Sequence, residues 1–116
     1  GDTVFSQCQT WLYVSNIDQW LAALERIRRL DVDIVVPGHG PVTDKAYLDV
    51  QRAFLMEWVT AVAVGVGRGW SKEECLARIS FADRYPVDIG QEYMMAHIQR
   101  ENVGALYDKL SAGIRP

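Results

Sequence analysis

The stretch Val32-Asp33-Ile34-Val35-Val36-Pro37-Gly38-His39-Gly40-Pro41 joins an apolar run to a tight turn with one histidine at its apex. Its first five residues are rich in β-branched side chains, which predicts a short buried strand. The two prolines cannot extend a ladder of backbone hydrogen bonds, and the two glycines allow another backbone or an ion to approach closely. A histidine presented in this way is placed to act as a metal ligand or a general base. The alternative is a turn histidine without a partner.

The residues before this stretch predict a second strand and a helix. Thr3–Phe5 is a short run with strand-forming residues, and Asn16 has the character of a helix N-cap with Gln19 three residues later. Apolar residues then recur at spacings of three and four as far as about Leu30. Residues 1–43 therefore predict a strand–helix–strand unit that ends in Val32–Val36, as in the outer layer of an α/β fold.

The residues after the histidine turn predict a helical extension of about three helices. Thr43 or Asp44 caps a helix that continues to about Val66, and a capping box opens a short helix at Ser71 that runs through Ile79. Asp88, with Gln91 three residues later, is expected to cap the last helix, which ends near Ser111. We therefore predict an α+β fold, with residues 44–116 packed as one domain with residues 1–43.

Composition excludes several classes of function. A chain of 116 residues with a formal net charge of −3 has no basic surplus for nucleic acid. No apolar window is long enough to cross a bilayer, so no membrane partner is expected. The two cysteines, Cys8 and Cys75, are far apart and form no CxxC pair. Reduced thiols and the absence of a recognisable signal peptide predict a cytoplasmic protein.

Two residues of the first part can form a site. Asp2 directly precedes one predicted strand and His39 directly follows the other, so both can face the same end of a sheet. A carboxylate and a neutral imidazole suit a divalent ion such as zinc. Two ligands are nevertheless fewer than the three that catalytic zinc generally takes from a protein.

These segments resemble a known family. Gly1-Asp2-Thr3-Val4-Phe5, followed after a helix by Ile34-Val35-Val36-Pro37-Gly38-His39-Gly40-Pro41, is similar to the C-terminal half of a metallo-β-lactamase-fold hydrolase of the glyoxalase-II-like type. The resemblance implies half of an αββα sandwich. It implies that Asp2 bridges two zinc-like ions and orients the attacking water, and that His39 ligates the second ion. It also implies a small-molecule substrate with an ester, thioester or amide-type bond.

The rest of the family's ligand set is not in this sequence. The resemblance implies a His-x-His-x-Asp-His cluster in an N-terminal half, and the only other histidine here is His97. We therefore predict that the chain is a truncated C-terminal portion with little metal occupancy and no turnover by itself. Its partner is either the missing N-terminal half or a second copy of the chain. The alternative to the enzyme hypothesis is a stand-alone, non-catalytic module that dimerises through an uncovered sheet edge and its helices.

Three further groups of residues have weaker signals. Cys8 is expected to be inert and buried rather than a metal ligand or redox-sensitive thiol, because nothing nearby lowers its pKa. Arg84 and Tyr85, in the loop before the last helix, are candidates for substrate contact. The large aromatic side chains are expected to lie in the core or at an interface; they are Trp11, Tyr13, Trp20, Trp58 and Trp70.

Overall fold

The computed structural model describes residues 2–116 and contains four α-helices. These are α1 (Ile17–Arg28), α2 (Lys45–Gly67), α3 (Lys72–Arg78) and α4 (Met95–Ser111), and a 3₁₀ turn over Glu92–Met94 leads into α4. Extended or irregular chain fills residues 2–16, 29–44 and 79–91. Asp2 and His39 therefore both lie in irregular segments and not in helices.

The first three helices begin where the sequence predicts. Asn16 accepts a hydrogen bond from the Gln19 backbone N–H at 3.0 Å, and Asp44 accepts one from Tyr47 at 3.2 Å. Ser71 and Glu74 form a reciprocal capping box at the start of α3. Each cap satisfies a backbone N–H that has no partner within its own helix.

Helix α2 lies at the centre of the molecule and packs against α1 and α4, while α3 packs against α4. Its buried face includes Leu55, Trp58 and Val62, all of which are fully inaccessible to solvent. The same core takes in Leu24 from α1 and Val103 from α4. Residues from both sides of position 43 thus share one hydrophobic core.

The predicted α+β architecture is wrong. The chain is 54% helical with 3% strand, and the described residues contain no sheet. Phe5 makes a single parallel bridge to His39, and Val35 makes a single antiparallel bridge to Thr43. Neither Thr3–Phe5 nor Val32–Val36 has a neighbouring strand, so the strand–helix–strand unit, and with it the half sandwich, does not form.

Side chains replace the missing strand partners of the Thr3–Phe5 segment. Gln51 of α2 is buried, accepts from the Phe5 N–H at 3.2 Å and donates to the Thr3 carbonyl at 3.0 Å. The indole N–H of Trp20 donates to the same carbonyl at 2.7 Å. Buried backbone groups require partners of some kind, and here glutamine and tryptophan supply them.

The irregular segment 6–16 is held in the same way by α4. Asn102 accepts from the Leu12 N–H and donates to the Thr10 carbonyl, each at 2.7 Å. One turn earlier, Gln99 donates to Gln9 at 3.0 Å. These amides are buried, so they fix an extended segment that has no regular hydrogen-bond pattern of its own.

The last helix starts later than the sequence predicts. Its first residue is Met95, not a residue next to Asp88, and no side chain caps it. The Asp88 carboxylate accepts from the N–H of Ile89 and otherwise points toward His39. A residue that the sequence assigns to helix capping thus belongs to the candidate site.

Candidate functional site

The histidine loop is fixed against the segment Val4–Ser6. The Ser6 N–H donates to the His39 carbonyl, and the Gly38 N–H donates to the Val4 carbonyl, both at 3.0 Å. Gly40 has φ +88°, and a Cβ atom added there would lie 1.8 Å from the Ser6 carbonyl oxygen. Glycine is therefore required at position 40 for its conformation and for the close approach of the two backbones.

His39 lies between two carboxylates. Its Nε2 atom is 3.3 Å from Asp2 Oδ1, and its Nδ1 atom is 3.1 Å from Asp88 Oδ2. Phe5 stacks on the imidazole with a centroid separation of 4.9 Å and an interplanar angle of 13°. The Asp88 contact and this stacking together restrict rotation of the ring.

The two contacts differ in chemical character. Asp88 is hydrogen-bonded to Nδ1, and a carboxylate can only accept, so Nδ1 carries the hydrogen. In the neutral imidazole, the lone pair of Nε2 then faces an Asp2 oxygen. Two acceptors at this distance repel unless a positive charge lies between them. A proton or a metal ion can supply that charge.

The Asp2–His39 separation fits a pair of metal ligands. An N–H···O hydrogen bond usually spans about 2.7–3.2 Å. Two ligands of one tetrahedral zinc ion, each roughly 2.0–2.1 Å from the metal, lie about 3.3–3.4 Å apart. The observed 3.3 Å fits this second range, and it also fits an ion pair between the carboxylate and a protonated imidazole. The Asp2 carboxylate is largely exposed and His39 only a quarter exposed, so an ion can reach the pair from solvent.

The ligand set is incomplete within residues 2–116. No group of three or more His, Cys, Asp or Glu side chains in that range could hold a metal ion. Asp88 is on the opposite edge of the ring from Asp2, so the three cannot converge on one ion. It has instead the position of the carboxylates that orient metal-binding histidines through their other nitrogen.

Asp88 is the site residue that the sequence does not identify. The pKa of its carboxyl group is lowered, first by the backbone N–H of Ile89 and next by the hydrogen bond to His39. It is brought to His39 by the loop 81–87, whose Pro86 carbonyl accepts from the Gln9 N–H at 2.9 Å. No sequence signal indicates this role, because the capping-box spacing of Asp88 and Gln91 predicts a helix start that the structure places at Met95.

A cleft opens beside Asp2 and His39. Its volume is about 690 Å³, and α1 forms one wall through Gln19, Trp20, Ala23 and Arg26. Trp11, which is half-buried, also lines it, whereas Trp58 is fully buried as expected. The size is that of a cleft for a small molecule.

The other candidates lie away from this cleft. Arg84 pairs with Glu57 of α2 at 2.6 Å, and Tyr85 packs edge-on against Phe54 with centroids 5.0 Å apart. Neither residue lines the cleft. Burial raises the pKa of Cys8 to about 11, with a smaller contribution from the charge of Asp88. Its thiol is therefore protonated near neutral pH, in agreement with the inert role predicted for it.

No protein-family model matches the chain, and no curated protein matches it at a significant level. Within residues 2–116, none of the helices has the length and apolar character needed to cross a membrane.

Proposed function

We propose that the protein is the C-terminal, metal-ligating portion of a metal-dependent hydrolase that acts on an ester, thioester or amide-type bond. The observation that carries this proposal is the 3.3 Å pairing of Asp2 with a histidine whose other nitrogen is bonded to Asp88. The resemblance of the Gly1-Asp2 and Pro37–Pro41 segments to metallo-β-lactamase-fold hydrolases supports the same function. Because residues 2–116 supply two ligands, a complete site requires ligands from another polypeptide segment.

Asp88, Asp2 and Phe5 each have a separate task around His39. Asp88 holds the hydrogen on Nδ1, which leaves the Nε2 lone pair available as a ligand. Asp2 supplies a carboxylate oxygen, whose negative charge favours a divalent cation in the same place. Phe5 covers one face of the imidazole. When bound, a zinc-like ion supplies hydroxide near neutral pH and stabilises the charge that develops on a carbonyl under attack.

Zinc titration of the ¹⁵N-labelled chain, followed through the imidazole nitrogens, tests the proposal. We expect zinc to shift the Nε2 resonance of His39 and to leave His97, which is exposed on α4, unchanged. His39→Ala should abolish this binding and Asp2→Ala should weaken it. Asp88→Asn should weaken it roughly 10–100-fold, as removal of such an orienting carboxylate typically does. With only two ligands present, the isolated chain should not hydrolyse a thioester.

Two controls make the titration specific. His97→Ala should bind zinc like the unaltered chain, and a chain with an acetylated amino terminus should do the same, which excludes the α-amino group as the ligand. Absence of any shift at His39 in excess zinc would refute the proposal. So would equal losses of binding in His97→Ala and His39→Ala.

A second candidate function is self-association as a non-catalytic module. The arm formed by residues 32–43 exposes Ile34, Val36 and Val42, each to at least 62%. Their neighbour Val35 is buried and pairs with Thr43, so one side of the arm packs inward and the other is an apolar edge. An exposed apolar edge of this kind favours pairing with a second chain.

Light scattering at micromolar concentration distinguishes this function from the first. Self-association predicts a metal-free dimer that becomes a monomer when Ile34 and Val36 are both replaced by lysine. Ile114→Lys, at another exposed apolar position, is the matched control and should remain a dimer. A monomeric unaltered chain would rule out dimerisation through the arm.

A further inference from the structure

Three aromatic side chains line the cleft beside Asp2 and His39, together with several polar ones. The indole N–H of Trp20 is already bonded to the Thr3 carbonyl, so its polar atom is satisfied and its ring is left as an apolar surface. Phe5 and Trp11 line the same space, and both rings lie within 22° of parallel to the imidazole of His39. The surface that these three rings form suits an aromatic or aliphatic group.

One cation lies in the cleft without a counter-charge. No carboxylate in the described part of the chain forms an ion pair with Arg26. The two arginines that follow it in the chain differ in this respect, because Arg28 pairs with Asp49 at 3.0 Å and Arg29 with Glu25 at 3.2 Å. An unpaired guanidinium selects a carboxylate, which it can bind through two parallel hydrogen bonds.

The helix separates this cation from the metal-ligand pair. Gln19 and Arg26 both line the cleft and are seven residues apart, so they lie on one face of α1 at a separation of about 10 Å along the axis. Trp20, next to Gln19, is bonded to the residue that follows Asp2. The charge of Asp2 therefore lies toward one end of the cleft and that of Arg26 toward the other.

We propose that this cleft binds a small organic acid with an apolar or aromatic body roughly 10 Å long. Its carboxylate pairs with Arg26, its body lies against Trp11 and Trp20, and its other end lies at Asp2 and His39. The acid is the substrate class of the hydrolase. That last assignment rests on the proposed function, whereas binding of the acid does not.

A matched pair of ligands tests the proposal in the presence of EDTA. The probes are 4-phenylbutyrate and 4-phenylbutanol, which differ only in the charged group, and the signals are the indole N–H resonances of the four tryptophans. We expect 4-phenylbutyrate to shift Trp11 and Trp20 and to leave Trp58 and Trp70 unchanged. The expected Kd is on the order of 1 mM for about twelve non-hydrogen atoms, and the alcohol should bind roughly 3–10-fold more weakly.

Two variants complete the test. Arg26→Gln should reduce affinity for the acid to that for the alcohol, whereas Arg29→Gln, which removes a paired arginine, should not. Because EDTA is present, acid binding is measured without a metal ion, so failure of the metal site and failure of this cleft are distinguishable. Equal affinity for acid and alcohol would overturn the proposal. So would shifts at Trp58 alone or equal losses in Arg29→Gln and Arg26→Gln.

Discussion

Replacement of Gly40 by alanine tests how the histidine loop is held. The added Cβ would lie 1.8 Å from the Ser6 carbonyl oxygen, and the residue would keep φ +88°, which L-residues rarely adopt. This left-handed backbone conformation alone lowers the free energy of unfolding of the alanine variant by about 1–2 kcal/mol. The neighbouring atom belongs to backbone and cannot rotate away, so the loop must separate from Val4–Ser6. Loss of the two hydrogen bonds there adds about 0.5–1.5 kcal/mol each.

We therefore expect Gly40→Ala to lower the free energy of unfolding by about 2–5 kcal/mol in urea denaturation. Gly69→Ala is the matched control, because Gly69 has φ +77° and no atom within 4 Å of its added Cβ. It should cost only the conformational part, about 1–2 kcal/mol. Gly67 is the last residue of α2 and has open space around it, so Gly67→Ala should raise the free energy of unfolding by at most about 0.5–1 kcal/mol. Equal losses in Gly40→Ala and Gly69→Ala would show that the close approach to Ser6 contributes nothing.

Three further predictions concern buried and titrating groups. Asn102→Ala should lower the free energy of unfolding by about 2–5 kcal/mol in urea denaturation, because it leaves the Thr10 carbonyl and the Leu12 N–H without their partner. Asn16→Ala, which removes a helix cap, should lower it by only about 1 kcal/mol. Similar losses in the two variants would contradict this prediction. Because the pKa of Asp88 is lowered in the folded state, its carboxylate contributes stability that is present above its unfolded pKa and is lost as the pH falls through the folded one. The stability difference between the unaltered chain and Asp88→Asn, measured by urea denaturation, should therefore shrink as the pH falls below about 4, and a difference that grows below about pH 4 would refute this. The pKa of Cys8 is raised to about 11 and Cys75 is fully buried, so iodoacetamide at pH 8 should leave both thiols unmodified in the folded chain. It should alkylate both thiols in urea, as measured by mass spectrometry. Modification of the folded chain as fast as of the chain in urea would contradict this prediction.

Local chemistry in the sequence predicts the helices because caps and apolar spacing act within one or two turns. Asn16, Asp44 and Ser71 cap α1, α2 and α3 as predicted. The same kind of pattern misplaced the start of α4, since Asp88 and Gln91 have capping-box spacing but Asp88 bonds to His39 instead. A capping motif shows which local backbone groups a side chain can bond. It does not show which distant residues compete for the same side chain.

The strands could not be predicted because a strand depends on partners that are distant in sequence. Thr3–Phe5 and Val32–Val36 have the composition of strands, but Gln51 of α2 takes the backbone bonds of the first. In the second, Val35 alone is buried and paired, while Ile34 and Val36 are largely exposed. The β-propensity of a segment shows that its side chains would pack well in a sheet. Whether a neighbouring strand is present to form that sheet is decided by the tertiary structure.

The sequence alone predicted the histidine turn, because glycines and prolines fix a tight loop by local sterics. It predicted the pairing of Asp2 with His39 from a family resemblance and from two strands that do not form. Only the tertiary structure decided that Asp88 holds the other imidazole nitrogen and that Arg26 faces the same cleft. Asp88 is 49 residues from His39 in the chain, and the buried amides of Gln9 and Gln99 hold the preceding loop 81–87 through hydrogen bonds to Phe81 and Tyr85. A contact of that range arises from packing, which no local pattern specifies.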